Sequence, residues 1–420
     1  MFRVLIISLM AFFVISAWNI TVFLSFSEGW LKSPIANASA STAFSTAVEK
    51  TVTEEHTGNF SMILIEKGDI AERYFMSTNA PVDGTSLYQV ASLGKWITAW
   101  GVMALVEDGA INLDEPVSEY LTRWQLPTSD FDTRGVTVRR LLSHTAGLDD
   151  GLGYDGFDRA EDVQSLEDSL TRALDASPDK SGVVELGAEP GSEWRYSGGG
   201  YTILQLLIEE VSGQSFADFM SERIFVPLGM TQTTFGHDNA IRIGLAENFD
   251  LSGETEPFRH YTALAATSLF TSADDLALFI MRQTRPEDLS VLSDATLEVM
   301  QTPHASQMGA DIWGLGPMLY ASNNAGGHII GHDGNNGPAI NTVARFNPAT
   351  GDGIVILSTG SETLATELAG EWVFWKTGNI DSLLFLMMFE TMLAWMAIGS
   401  LIILVVGGAL IWRTRQSRPS

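Results

Sequence analysis

The chain has 420 residues, of which 24 are Lys or Arg and 51 are Asp or Glu, so its formal net charge is −27. This length allows one large domain or two to three small ones, and so acidic a chain argues against a nucleic acid partner, because phosphate binding needs a basic surface. The absence of Cys excludes disulfides, thiolate nucleophiles and Cys-ligated zinc, so any nucleophile must be an oxygen or an amine.

The first predicted element is a membrane anchor. Residues 4–26 are apolar apart from a few Ser, Asn and Thr, and they exceed the roughly 20 residues that span a bilayer. We expect residues 1–27 to be a retained anchor. A cleaved signal peptide is the alternative, because residues 36–38 and 38–40 resemble cleavage sites, although the apolar run is long for a signal peptide and ends too early.

Two strand pairs, far apart in the chain, are predicted next. Residues 60–66 and 70–75 are strand-like and flank a tight Lys-Gly-Asp turn, which is typical of a hairpin. Residues 339–346 and 354–358 repeat this pattern around a longer turn. Strands from both ends of this region would therefore meet in one antiparallel sheet.

Helices are predicted between the two strand pairs. Residues 96–108, 201–211 and 273–282 carry apolar residues at spacings of three and four, which indicates amphipathic helices. An antiparallel sheet closed by distant strands, with helices inserted between them, is an α+β fold.

The last predicted element is a second membrane span. Residues 391–412 are apolar and are followed by Arg413, Arg415 and Arg418, with no acidic residue among them. A buried core helix is the alternative, but a helix that is apolar all round and ends in an Arg cluster is typical of a membrane helix. Arg3 precedes the first span, so both termini are predicted to be cytoplasmic, with residues 27–390 on the opposite side.

Ser92-Leu-Gly-Lys95 stands at the start of a predicted helix and is the first candidate for chemistry. Residues three apart on a helix are neighbours, so the lysine could accept the proton of the serine and make it a nucleophile. Taken alone, an ordinary helix-capping serine is the better interpretation. A second match, Ser177-Pro-Asp-Lys180, lies in a loop without a following helix and is interpreted as a turn.

Further motifs follow Ser92 in a fixed order. They are Leu141-Leu-Ser-His-Thr-Ala-Gly-Leu, Pro190-Gly-Ser-Glu-Trp-Arg-Tyr-Ser-Gly, Pro227-Leu-Gly-Met, Ser268-Leu-Phe-Thr-Ser-Ala-Asp-Asp-Leu, Trp313-Gly-Leu-Gly and Gly331-His-Asp-Gly. Together with residues 89–97 and 105–121, this series resembles the penicillin-recognising serine hydrolases, in particular their class C beta-lactamase, DD-peptidase and esterase branch. The resemblance covers about 50–360 and is specific because several ordered motifs match.

The resemblance implies an acyl-enzyme mechanism. Ser92 would be the nucleophile, and Lys95 and Tyr196 would accept and return its proton. Tyr196-Ser197-Gly198 stands where the family has Tyr-x-Asn, so Gly198 lacks the amide that would bind a substrate carbonyl. Tyr196 can act as a base only if a nearby cation lowers its pKa, a task we expect of Lys95.

A third motif of the family lies on a strand beside the cleft, and two segments compete for it. Lys376-Thr377-Gly378 matches literally, but it ends a predicted helix over 363–375 and is interpreted as a helix C-cap. His332-Asp333-Gly334 precedes the last strand pair and is favoured, so that His332 lines the acyl-donor pocket. Gly334 and Gly198 are also expected at the substrate.

By the same resemblance, the backbone N–H groups of Ser92 and Asn335 would form the oxyanion hole. His144 is assigned a structural role.

A metal site is the alternative for His328 and His332, which are four residues apart. The residues between them predict a strand, on which this spacing spans roughly 13 Å, too far to share one ion. We therefore expect no metal and no cofactor.

The sequence thus predicts a beta-lactamase/transpeptidase-like α+β fold with an inserted, mainly helical subdomain. Its parts would be an anchor at 1–27, a hydrolase domain at 45–378, a transmembrane helix at 391–412 and a basic cytoplasmic tail at 413–420. It would be a membrane-anchored, extracytoplasmic serine hydrolase that acts on a small-molecule or peptide acyl substrate. The alternatives are a catalytically silent receptor for cell-wall fragments and a membrane scaffold.

Overall fold

The computed structural model describes residues 2–150, 153–284 and 291–416, so Arg418 of the predicted tail lies outside the described residues. The α-helices are α1 (Phe2–Ser27), α2 (Ser41–Glu55), α3 (Gly94–Glu107), α4 (Val138–Leu142), α5 (Leu166–Arg172), α6 (Gly198–Ser212), α7 (Phe216–Met220), α8 (Val226–Leu228), α9 (His237–Ile243), α10 (Leu264–Thr267), α11 (Ala273–Arg282), α12 (Asp294–Gln301), α13 (Leu364–Thr377), α14 (Ser382–Met387) and α15 (Phe389–Gln416). The strands are β1 (Phe60–Glu66), β2 (Asp69–Met76), β3 (Leu87–Gln89), β4 (Thr233–Thr234), β5 (Phe270–Ser272), β6 (Ala305–Gln307), β7 (Ala310–Trp313), β8 (Met318–Ser322), β9 (His328–Asn336), β10 (Ile340–Asn347) and β11 (Asp352–Thr359).

The main sheet has eight antiparallel strands in the order β2-β1-β11-β10-β9-β8-β7-β6. Its first hairpin pairs with its last strand, so that Phe60 faces Ser358 and Ile65 faces Gly353. The predicted α+β fold with a sheet closed by distant strands is confirmed. A smaller sheet of order β3-β5-β4 lies beside the main one.

Helices cover both faces of the main sheet. α2 and α13 pack on one face, and α3 and α11 pack on the other. All eight residues of β10 are therefore buried, including the polar Asn341 and Arg345. A strand buried on both faces reads as a nearly continuous apolar run, which explains why residues 339–346 are a clear strand signal.

The inserted segment between β3 and β5 is mainly helical, as predicted, and the structure shows that it packs around α6. Helix α6 begins at Gly198, three residues before the apolar periodicity, because Ser197 caps it: the Ser197 hydroxyl accepts the N–H of Gly200 at 2.8 Å. The three consecutive glycines give no helical signal of their own.

The two terminal helices, α1 and α15, are long and apolar enough to cross a membrane. They pack against each other rather than against the sheet. Trp18 Nε1 donates to the carbonyl oxygen of Trp395 at 3.1 Å, and Asn19 Nδ2 donates to Ser400 Oγ at 3.3 Å. Two exposed apolar helices of this length suggest that the protein associates with a membrane.

Candidate active site

Ser92 and Lys95 lie in contact at the start of α3. Ser92 is in a 3-10 turn over Ala91–Leu93, directly before the α-helix. Lys95 is buried, and its Nζ donates to Ser92 Oγ at 2.9 Å and to the carbonyl oxygen of Ala266 at 2.6 Å. Burial lowers the pKa of Lys95 to about 7, although the charge of Asp150 opposes this shift. An unprotonated amine is therefore available beside the serine near neutral pH.

The backbone before Ser92 is strained. Ala91 has a φ of 49°, in the left-handed region that non-glycine residues rarely adopt. Such conformations persist only where the surrounding packing enforces them, and they cluster at functional sites. Here β9 and the carbonyl of Leu269, which accepts the N–H of Val90 at 2.9 Å, hold the turn in place.

Tyr196 completes a three-residue cluster with Ser92 and Lys95. The Lys95 Nζ lies 5.1 Å from the centroid of the Tyr196 ring, and the Tyr196 side chain is hydrogen-bonded to Ser92. Burial raises the pKa of Tyr196, although the Ser92 bond opposes this. The expectation that Lys95 lowers the pKa of Tyr196 is therefore wrong. The tyrosine is a neutral phenol, suited to donate or relay a proton rather than to act as an anionic base.

Aromatic rings and His144 fix the position of Tyr196. The His144 ring stacks on Tyr196 with centroids 4.3 Å apart, and Trp313 meets His144 edge-on at 4.7 Å. His144 Nδ1 accepts the N–H of Ser197 at 3.1 Å. Burial lowers the pKa of His144 well below its usual range, so the ring remains neutral and can accept this bond. These contacts are structural, in line with the role expected of His144.

His332 lies on β9, on the same strand face as Gly334, and is 1% exposed. Its Nδ1 donates to the carbonyl oxygen of Asp333 at 2.6 Å, and its Nε2 has no hydrogen-bond partner in the described chain. Burial, assisted by the charge of Lys95, lowers the pKa of His332 to about 3. The imidazole is thus neutral at physiological pH, and its charged fraction is much smaller than the ordinary pKa of histidine would give.

Gly334 allows β9 to approach the turn that carries Ser92. A Cβ atom on Gly334 would lie 2.0 Å from the carbonyl oxygen of Val90 and 2.4 Å from Thr342 Oγ1. Only a glycine fits there without displacing the backbone. This approach brings the neighbouring Asn335 alongside the Ser92 turn, and the Asn335 side chain points away to the carbonyl oxygen of Glu362 at 2.6 Å.

Tyr154 crowds the position that departs from the family motif. A Cβ atom on Gly198 would lie 3.0 Å from Tyr154 Cε2, so an Asn side chain there would collide with this ring. The Tyr154 hydroxyl is hydrogen-bonded to Thr202 Oγ1 at 2.8 Å, which holds the ring in place. Tyr154 lies 44 positions before Gly198 in a loop, and its sequence context carries no signal for this contact.

Asp150 was missed by the sequence analysis. Its buried carboxylate accepts hydrogen bonds from the Ser197 hydroxyl and from the N–H of Gly199, so it orders the segment that follows Tyr196. Burial raises the pKa of Asp150, against the hydrogen bonds from Ser197 and Gly199. A buried acid in a loop has no periodicity, and its two partners are almost 50 residues away, so no local pattern could reveal it.

The competing segments are engaged elsewhere. Lys376 pairs with Glu66 at 2.8 Å and Asp352 at 3.5 Å, and Gly378 ends α13 with a φ of 75°. The predicted C-cap at 376–378 is confirmed. The second Ser-x-x-Lys match forms a turn, in which the N–H of Lys180 donates to the carbonyl oxygen of Ser177 at 3.2 Å.

The histidine pair at 328 and 332 lies on one strand, as predicted. Over the ranges 2–150, 153–284 and 291–416, no group of three or more His, Asp or Glu side chains is placed to hold a metal ion.

Comparison with known proteins adds the family context. The sequence model of the beta-lactamase family matches residues 44–373. Penicillin-binding protein 4* of Bacillus subtilis is 34% identical to this chain, and the match covers 44% of this chain and 39% of that protein. Penicillin-binding protein 4 of Amycolatopsis lactamdurans is 29% identical, and the match covers 76% of this chain and 87% of that protein. In structure, the chain is similar to an octameric penicillin-binding protein homologue from Pyrococcus abyssi, with a TM-score of 0.67 and 24% identity over 80% of this chain and 77% of that one.

Proposed function

Because this chain belongs to the beta-lactamase family, we propose that it is a membrane-anchored serine hydrolase that acts through an acyl-enzyme on ester or amide substrates. The observation that carries the proposal is the 2.9 Å contact between Lys95 Nζ and Ser92 Oγ, made by a fully buried lysine whose pKa burial lowers to about 7. A solvent-exposed lysine would remain protonated at neutral pH and could not accept the serine proton.

In the proposed reaction, Ser92 Oγ attacks the substrate carbonyl carbon while its proton passes to the unprotonated Lys95. The neutral Tyr196 then donates its proton to the leaving group, and Lys95 restores it, so that the bond to the leaving group breaks and a Ser92 ester remains. Water attacks this ester by the same route in reverse and regenerates the serine. No cofactor takes part.

The oxyanion of the tetrahedral intermediate is assigned to the backbone N–H groups of Ser92 and Asn335. Two observations support this assignment. Ser92 lies in the first turn of a helix, where N–H groups have no intrahelical partner, and the glycine at 334 lets β9 run close beside this turn.

The terminal helices would anchor the hydrolase domain to a membrane. Arg3 and the arginines after residue 412 favour cytoplasmic termini, which leaves the catalytic domain, proposed at 45–378, on the extracytoplasmic side. Gly399 lies against Trp18 and Gly407 against Ala11, so α1 and α15 run antiparallel. This arrangement supports a two-span anchor with both termini on one side of the membrane.

Intact-mass spectrometry after treatment with a fluorophosphonate or a penicillin tests the nucleophile. One covalent addition is expected, on the peptide that contains Ser92, and it should disappear in Ser92→Ala. Ser177→Ala is the matched control, because it removes the serine of the other Ser-x-x-Lys match and should leave labelling unchanged. Labelling that survives Ser92→Ala would refute the mechanism.

Turnover separates an enzyme from a silent receptor. Lys95→Ala and Tyr196→Phe should each lower kcat by roughly 10² to 10⁴, the usual contribution of acid–base catalysis, and the double variant should lose little more. A receptor that binds ligands without turnover would give no steady-state rate in the unaltered protein.

A further inference from the structure

A cavity of about 330 Å³ opens between the two terminal helices, α1 and α15. Its walls carry large apolar side chains, namely Trp18, Val22, Phe26, Ile380, Met388 and Trp395. Ser25 also lines the cavity, but its hydroxyl donates to the carbonyl oxygen of Thr21 in its own helix at 2.6 Å. The space between the two helices therefore suits an apolar ligand.

The position of this cavity along α1 indicates which apolar ligand is at hand. The lining residues Trp18 and Phe26 are eight positions apart, so the cavity extends over about 12 Å of the helix, and α1 ends at the next residue, Ser27. In the proposed two-span anchor, this stretch lies in the extracytoplasmic leaflet, whose hydrocarbon layer is roughly 15 Å thick. Water is unfavourable at this depth, whereas acyl chains surround the helices. A lipid chain is therefore the expected occupant.

Exposed apolar side chains show where the membrane surface would lie. Trp30 and Leu31, which follow α1, are 65% and 75% exposed, and Leu386 on α14 is 62% exposed. Large apolar residues beside two spans rest against lipid, and Trp is enriched at membrane–water interfaces. Lys32 comes directly after these residues, which places its ammonium group at the level of the lipid headgroups.

A second cavity, of about 520 Å³, adjoins the first on the side of the domain, and the two share Lys32 and Met388. Glu367 and Glu371 line it from the same side, because they are one turn apart on α13. Lys32 Nζ forms an ion pair with Glu371. Over residues 2–150, 153–284 and 291–416, Glu367 makes no ion pair, so one carboxylate at this cavity has no cation.

The turn before Lys32 is packed tightly against α13. Gly29 has a φ of 71°, and its carbonyl oxygen accepts the N–H of Lys32 at 3.0 Å. A Cβ atom on Gly29 would lie 2.5 Å from Phe374 Cε2, and Lys32 Nζ lies 5.4 Å from the centroid of the same ring. The lysine is thus held in place where the two cavities meet.

We propose that the two cavities together bind one phosphatidylethanolamine molecule of the extracytoplasmic leaflet. An acyl chain lies between α1 and α15, the phosphate accepts hydrogen bonds from Lys32, and the ammonium group donates to Glu367. Lys32 between two glutamates leaves one negative charge in excess, which disfavours an anionic headgroup. Phosphatidylcholine has the same phosphate but no N–H donor for Glu367. The inference rests on the membrane anchor of the proposed function and is independent of its hydrolytic step.

Native mass spectrometry of the full chain in detergent tests the site. Phosphatidylethanolamine, phosphatidylcholine and phosphatidylglycerol with identical acyl chains are titrated separately. One phosphatidylethanolamine should bind per chain, at least about threefold more tightly than either of the other lipids, the effect of one partly exposed charge pair. Equal affinities for the three lipids would overturn the proposal.

Glu367→Gln tests the headgroup contact, and its exposed position makes the change compatible with folding. The affinity for phosphatidylethanolamine should fall by about threefold, whereas the affinity for phosphatidylcholine should not change. The matched control is Glu49→Gln, which removes the same charge from an exposed position on α2 that does not line either cavity. An equal effect of both variants on the two lipids contradicts the assignment of the ammonium group to Glu367.

Ser25→Phe tests the acyl-chain contact, because the larger side chain fills the cavity between the helices. The affinity for all three lipids should fall by about tenfold or more, the effect of displacing a few methylene groups. Ser16→Phe is the matched control: the Ser16 hydroxyl likewise donates within α1, to the carbonyl oxygen of Phe12 at 3.0 Å, but Ser16 does not line the cavity. If the lipid-free chain is a dimer that Ser25→Phe dissociates, a second copy occupies the cavity and the proposal is refuted.

The mass of the chain in the same spectra separates this inference from the proposed function. A mass that lacks residues 1–27 overturns the two-span anchor and the lipid site together. A full-length chain without preference for phosphatidylethanolamine overturns the lipid site alone. A full-length chain that retains this preference supports the site even if Ser92 is never acylated.

Discussion

Lys95 is the residue on which the proposed chemistry depends, because its burial lowers its pKa. The side chain lies among Tyr196 and Tyr201, with its Nζ 5.1 and 5.7 Å from their ring centroids, so water cannot solvate the ammonium form. The ammonium form loses more hydration free energy on burial than the neutral amine does. Burial therefore lowers the pKa of Lys95 to about 7. The nearby histidines His144 and His332 are also buried, and their pKa values lie far lower.

The pH dependence of ester hydrolysis should report this lysine. The unprotonated fraction of Lys95 rises with pH, so kcat/KM should increase about tenfold per pH unit below about pH 7 and level off above it. His144 and His332 are already neutral across this range and cannot give the same inflection. The measurement is a kcat/KM profile from about pH 5.5 to about 8.5, corrected for spontaneous hydrolysis. A flat profile would show that Lys95 is not the base.

The residues of the site differ in how far sequence could predict them. Ser92, Lys95 and His332 belong to ordered local motifs, and the structure places the first two in contact as the i, i+3 spacing requires. Asp150 and Tyr154 act through partners that are more than 40 residues away, and contacts at that separation leave no periodic signal. The pKa of Tyr196 was predicted in the wrong direction because burial, which sequence does not show, raises it more than the hydrogen bond with Ser92 lowers it.

Among the elements, β9 is distinctive because the side chains on its two faces contact different parts of the protein. Its His332 faces the candidate site, whereas Asp333 faces a buried ionic network. Asp333 accepts hydrogen bonds from Arg345 on β10 and from the Tyr320 hydroxyl at 2.7 Å. Arg345, which is fully buried, also donates from Nε to Asp381 at 3.0 Å. Burial disfavours the charged form of Arg345, but the charges of Asp333 and Asp381 outweigh this effect and raise the pKa of Arg345 above its ordinary value.

Asp381 extends this network toward the C-terminal apolar helix α15. Its carboxylate accepts the N–H of Leu383 at 2.8 Å and caps α14, which immediately precedes α15. The strand that carries His332 is thus connected through Asp333, Arg345 and Asp381 to the segment that leads into α15. The sequence predicted β10 and α15 within a few residues but gave no prediction for α14. An ionic contact between elements cannot be read from the periodicity of either one.

Arg345→Met should destabilise the fold strongly. It leaves Asp333 and Asp381 in the interior without their cation, and breaking a buried ion pair costs roughly 3–5 kcal/mol. Urea unfolding of the detergent-solubilised protein measures the loss. The control is Arg134→Met, which breaks the exposed pair of Arg134 and Glu119 at 2.8 Å and should cost less than about 1 kcal/mol. Similar losses in both variants would contradict a structural role for the network.

The contact between α1 and α15 can be tested by cross-linking, because the chain has no native cysteine. A Cβ atom on Gly407 would lie 3.5 Å from Ala11 Cβ, within the range for a disulfide. Mild oxidation of Ala11→Cys/Gly407→Cys should therefore give a reducible, faster-migrating monomer. In the control Ala11→Cys/Gly408→Cys, the second position faces open space and should not cross-link.

The same experiment decides between a retained anchor and a signal peptide. A mature protein that begins near residue 39 would lack the first cysteine, and neither variant would then form the internal cross-link. Mass spectrometry of the N-terminal peptide distinguishes this outcome from a helix pair that fails to approach.

At the scale of the whole molecule, the negative net charge and the neutral His332 both disfavour anionic substrates. The net charge of −27 repels anions, although salt screens this repulsion beyond about 8–10 Å. Within the site, His332 is neutral and cannot provide the permanent charge that a lysine in the third motif would offer a substrate carboxylate. Gly198 offers no amide to a substrate carbonyl, and Tyr154 crowds the space for one. Anionic amides should therefore be the poorest substrates.

We accordingly expect hydrolysis of short-chain p-nitrophenyl esters with a kcat/KM well above that of a chromogenic cephalosporin. A D-Ala-D-Ala peptide should rank with the cephalosporin, since each carries a carboxylate that neither His332 nor the acidic surface stabilises. Raising the salt concentration from about 0.05 to about 0.5 M should improve the two anionic substrates relative to the neutral ester, because screening weakens only the repulsion of anions. The ester is the internal control for salt effects on the enzyme itself. If the cephalosporin kcat/KM exceeds that of the ester, or if salt affects all three alike, neither the neutral His332 nor the acidic surface governs selection.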